Sequence, residues 1–208
     1  MAAGLVNAGP LGVDILATSD QAQLVTAFGN GVLLSRVPLF LFQAVQASLL
    51  PRLARLAAKG DLDEFREGFS LLMKVVVGVA VFGVVGSFAL GPWTLELVYE
   101  GGLDRRTLTI LALASGLYMI ALATAQAVIA LRGHSWVALG WLSAMTVFLV
   151  VTTVSSNDLF LRVELGLVAG SLTACLIFAY ALRARIHAGA IPDAESMLDG
   201  VIDSPFEG

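Results

Sequence analysis

Three charged residues, Asp14, Arg36 and Lys74, lie inside long apolar runs of this sequence. Hydrocarbon tolerates charge poorly, so each marks a place where a bundle interior, a watery cavity or a partner must compensate it. Arg36 is the deepest. At 1.5 Å per residue it lies roughly 18–22 Å in from the polar turn Ser19–Gln21, too far to snorkel back to that face. On a continuous helix Gln43 falls within about 20° of it and Gln46 within about 80°. Arg36, Gln43 and Gln46 thus form a polar stripe suited to an anionic substrate group such as a diphosphate. The same stripe suits a structural arginine held by carbonyls or by an acid from another helix. Asp14, roughly 8 Å from the same turn, has the chemistry of a proton or cation site for ion coupling. A plain antiparallel hairpin leaves it about 12 Å from Arg36 in depth, which argues against a direct pair. Lys74 is about one turn into its run and reaches the interface by snorkelling. Gln126 suits an interhelical hydrogen bond or the lining of the same cavity.

Other chemistries lack their residues. There is no Ser/His/Asp constellation, no pair of carboxylates within one apolar run and no glycine-rich phosphate loop before a helix, so the chain is not expected to be an enzyme. The lone Cys175 and the isolated His134 and His187 offer neither a disulfide framework nor metal-ligand spacing. No cofactor and no metal are expected. No basic patch interleaved with aromatics points to nucleic acid.

The elements that must position these residues are helices in a membrane. Of 208 residues, 58% are hydrophobic and 13% charged, against about 45–50% and 25% in soluble domains. The charges are clustered, leaving uninterrupted apolar runs that a soluble core of this length could not cover. Crossing the hydrocarbon core takes roughly 17–25 mostly apolar residues. Six stretches qualify: 2–18, 24–50 with a kink near Pro38, 69–90, 108–131, 136–154 and 165–182. Free backbone groups cannot be left in lipid, and the alternating segments of a barrel are absent. The expected fold is therefore all-α, a polytopic membrane bundle of about six helices over residues 1–187. An acidic, disordered cytoplasmic tail is expected over 188–208.

Lys/Arg bias sets the expected orientation. Arg52, Arg55, Lys59, Arg66, Arg132, Arg183 and Arg185 fall on one side, and Arg105, Arg106 and Arg162 on the other. Both termini are therefore predicted to be cytoplasmic, in the cell membrane. Two segments are expected at the surface rather than across it. Pro51–Arg66 reads as an amphipathic helix on the cytoplasmic face, and Gly91–Arg106, with Trp93 and Tyr99, as an interfacial segment on the outer face.

The order of motifs around Arg36 is also informative. Arg36 and Pro38 are followed by Leu50-Pro51-Arg52-Leu53-Ala54-Arg55-Leu56 and by Gly60-Asp61. This order resembles the multidrug/oligosaccharidyl-lipid/polysaccharide exporter superfamily, and within it the polysaccharide-type flippases. Asn7–Asp14 looks like the start of that family's second half, and Ala125–His134 like its tenth helix and following turn. The resemblance spans roughly residues 5–185. It implies a fold of about twelve or more helices in two halves around a central cavity, moving lipid-linked saccharides by alternating access. With six spans, this chain matches the second half, and its short first span suggests that Met1 is an internal start. The implied partners are membrane lipid, an anionic lipid-linked substrate held by Arg36, Gln43 and Gln46, and a second six-helix half. An ion-coupled small-molecule exporter using Asp14, or a truncated non-transporting scaffold, would share the same helices.

Overall fold

The computed structural model describes residues 2–18, 21–99 and 103–188. They form seven helices, α1 (Ala2–Leu16), α2 (Ala22–Ser35), α3 (Val37–Lys59), α4 (Leu62–Tyr99), α5 (Arg105–Ala130), α6 (His134–Val154) and α7 (Leu159–His187), with no strand among the described residues. The tail expected over 188–208 lies outside the described residues apart from Ala188.

Among the described residues, four helices are long and apolar enough to cross a membrane: α4 (over Leu62–Thr94), α5, α6 and α7. The outside of the bundle fits that reading, since Phe82 is 74% exposed and Val154 75%. Apolar side chains of this size face outward along whole helices where lipid is the solvent. The expected count of six is not matched by six such helices. α1 has 15 residues and α2 has 14, so each rises only about 21–23 Å, short of the roughly 30 Å hydrocarbon core. The region expected as one span over 24–50 is divided between α2 and α3, with the break at Arg36.

Two surface segments expected as separate units are instead absorbed into helices. α3 runs through Pro51 to Lys59, and α4 begins at Leu62. The turn between them is closed by Gly60, whose φ of 74° permits its N–H to reach Ala57 O while Asp61 N–H reaches Leu56 O, both at 3.2 Å. Arg52 and Glu64 bridge the hairpin at 2.9 Å. The segment from Gly91 is likewise helical as far as Tyr99. Pro92 removes the backbone donor that would reach Phe88 O, and two residues on the Thr94 hydroxyl bonds back to the carbonyls of Leu90 (3.1 Å) and Gly91 (2.9 Å). Pro10 also sits within a continuous helix.

Helix α5 is the most buried of the four long helices and packs against α4 on one side and α7 on another. Its inner residues, Leu108, Leu111, Met119 and Val128, are buried. Asp104 caps its start by accepting from Thr107 N at 3.4 Å, and Asp158 caps α7 by accepting from Phe160 N (3.0 Å) and Leu161 N (2.9 Å). The α6–α7 seam depends on Gly140, where any side chain would run into the ring of Phe178.

Candidate functional site

The chain breaks its helix at Arg36 for a local reason. Pro38 has no N–H, so the carbonyl four residues earlier loses its helical partner. The backbone tightens just before it, with Arg36 N–H reaching Leu33 O at 3.2 Å, and α3 restarts as Phe40 N–H reaches Arg36 O at 3.2 Å. The Pro38 ring rests against Gly83 of α4, where a Cβ would come within 2.7 Å of it. Arg36 thus sits at a joint between two helices, a geometry that the single polar stripe with Gln43 and Gln46 did not assume. Both glutamines belong to α3, and their side chains lie outside the described residues.

A small half-enclosed pocket lies beside this joint, with Arg36 in its wall. Four hydroxyls share that wall: Ser35 from α2, Ser115 and Tyr118 from α5, and Ser171 from α7. Leu5, Leu111 and Leu167 supply apolar surface between them. Ser35 and Ser171 are buried and Arg36 is partly buried. Ser35 Oγ lies 3.3 Å from Ser115 Oγ and donates to Val32 O at 2.8 Å. Arg36 and Tyr118 interact electrostatically. The Tyr118 ring is held from behind by a run of aromatics, 5.6 Å from Trp141, which lies 5.1 Å from Phe178. The cavity can therefore offer a planar, permanently charged donor together with hydroxyls that both donate and accept.

Of the residues singled out in the sequence, Arg36 alone is described in this wall. Asp14 lies on the exposed face of α1, and Lys74 is exposed on α4. Gln126 is partly buried on α5 but does not line the cavity. Ser35, Ser115, Tyr118 and Ser171 were missed. Their only signal was polarity inside apolar runs, which a hydroxyl gives weakly because it can satisfy itself on its own helix. Among the described residues no cluster of His, Cys, Asp and Glu could hold a metal ion. Cys175 is not reactive-site chemistry either, since its thiol donates to Leu117 O at 3.1 Å across the α5–α7 seam.

The four long apolar helices and the apolar exterior support a helical membrane protein, with a largely apolar pocket in the bundle that carries Arg36 and four hydroxyls in its wall. No family model matches the chain, and neither does any curated protein or solved structure.

Proposed function

We propose that this chain is one half of an exporter-type transporter that flips lipid-linked saccharide precursors across the cell membrane, with Arg36 contacting the anionic head group. The observation that carries this reading is a guanidinium set among four hydroxyls in a half-enclosed cavity within an apolar bundle. A guanidinium fork matches phosphate geometry, and the serine and tyrosine hydroxyls suit phosphate oxygens and sugar alike. Transporters built from repeated halves carry substrate near the midplane between the halves. A cavity wall left half-enclosed in one half is what such an arrangement requires. The second half belongs to the same polypeptide or to another subunit, and alternating access is the rocking of one half against the other. The motif order around Arg36, Pro51 and Gly60 supports the same assignment.

The test is export by cells in which Arg36 is replaced by Ala or by Lys, with the membrane level of each variant measured alongside. Arg36→Ala is expected to abolish export at unchanged level. Arg36→Lys should retain a part of it, because the charge remains and the fork is lost. Full export by Arg36→Ala would remove the basis of the reading and favour a scaffold. Loss of transport in Asp14→Asn, with none in Arg36→Ala, would favour an ion-coupled small-molecule exporter.

A further inference from the structure

Glu164 is the one buried carboxylate among the described residues; every other described Asp and Glu is exposed. It lies in the second turn of α7 with 0% exposure. Neither of its oxygens accepts a hydrogen bond, and the equally buried hydroxyl of Thr107 on α5 makes none either. The two side chains are neighbours where the starts of α5 and α7 pack together. The helix N-terminus that would favour an anion is already taken up by Asp158, which accepts the N–H groups of Phe160 and Leu161.

The charged groups acting on Glu164 from its surroundings are Asp104 and Arg106 at the start of α5 and Asp158 on its own helix. The two acids oppose a charge on Glu164, and the arginine favours one. Arg106 is exposed and lies 4.0 Å from Asp104. Arg162 is two positions earlier on α7, roughly 160° around the helix from Glu164. Helix α2 carries no charged residue, α6 carries only His134 at its far end, and α1 carries only the exposed Asp14. With the Thr107 hydroxyl beside it but neither oxygen in hydrogen-bond geometry, an ionised carboxylate enclosed in this way is costlier than a neutral acid.

We propose that Glu164, with Thr107 beside it, is a proton-binding site: the packed ends of α5 and α7 hold the carboxyl in its neutral form, and ionisation requires those ends to part. Thr107 Oγ1 can accept from the O–H of the neutral acid as readily as its own O–H can donate to a carboxylate, so the enclosure of the site decides between the two forms. Parting of the ends admits water and exposes the carboxyl beside Asp104 and Asp158. Proton release and opening of this end of the bundle are then the same event. This inference does not rest on the role of Arg36.

The decisive measurement is the infrared spectrum of the full chain in lipid nanodiscs at neutral pH, wild type minus Glu164→Gln. A protonated-carboxyl C=O band present in the wild type and absent from the variant is the expected result. No such band in the difference overturns the proposal, because the carboxyl is then ionised where it is buried. If Glu164→Gln does not accumulate, Glu164→Met serves in its place, since it fills similar volume and cannot ionise.

Discussion

Ser35 Oγ and Ser115 Oγ lie 3.3 Å apart and join the last residue of α2 to the middle of α5 directly beside Arg36. The contact fixes the joint at which the chain changes helix, and it forms part of the cavity wall. Ser115→Ala removes one partner and should lower stability by about 0.6 kcal/mol, the usual worth of such a bond between membrane helices. Ser115→Leu should fill the space next to the guanidinium and block cargo entry at a near-normal membrane level. Unfolding in graded detergent mixtures measures the first effect, and export the second.

The aromatic run behind Tyr118 depends on a glycine. A methyl group at Gly140 would run into the Phe178 ring, and Phe178 supports Trp141, which supports Tyr118. Gly140→Ala is expected to cost about 1–3 kcal/mol through overpacking. Adding Phe178→Leu should recover part of that loss. If the double variant is no more stable than Gly140→Ala alone, the ring contact is not the source of the cost.

Two helix ends should respond to substitution in opposite directions. Gly60 closes α3 with φ 74° in open space, whereas Arg132 closes α5 with φ 59° and carries a side chain. Gly60→Ala should destabilise by about 1 kcal/mol and Arg132→Gly should stabilise by about the same amount, because the left-handed conformation is costly for any residue with a Cβ. Thermal unfolding of both variants beside the parent checks the two signs together.

Cys175 is partly buried in the α5–α7 seam and donates to Leu117 O at 3.1 Å. A water-soluble maleimide should label it slowly in the folded protein and fully after denaturation. Rapid labelling in the native state would mean that the seam is open to water.

The long helices were legible where polar residues bracket them. α5 begins at Arg105 and ends at Ala130, close to the apolar run over 108–131, because Asp104 and Arg132 mark its limits. α6 and the expected span over 136–154 share their last residue. The prolines were harder to read. Pro38 does coincide with a break, but Pro10, Pro51 and Pro92 stay inside helices, which neighbouring groups and local adjustment of the backbone permit. The candidate site was legible only through its charge. Arg36 stands out in an apolar run, whereas Ser115, Tyr118 and Ser171 gain meaning from three helices turning the right faces to one another, which no local pattern encodes. Glu164 sits one residue before the expected last span, outside the apolar run, and the packing of α5 against α7 buries it.

Helix α4 has 38 residues, a rod of about 57 Å against a hydrocarbon layer of roughly 30 Å. Its first turns carry Asp63, Glu64, Arg66 and Glu67, which belong in water, so this is the end that must project. The projecting end is clamped to α3 by the Gly60 turn and the Arg52–Glu64 bridge. Because Pro38 rests against Gly83 midway along this helix, the same rod that reaches into water at one end also packs beside the joint at Arg36.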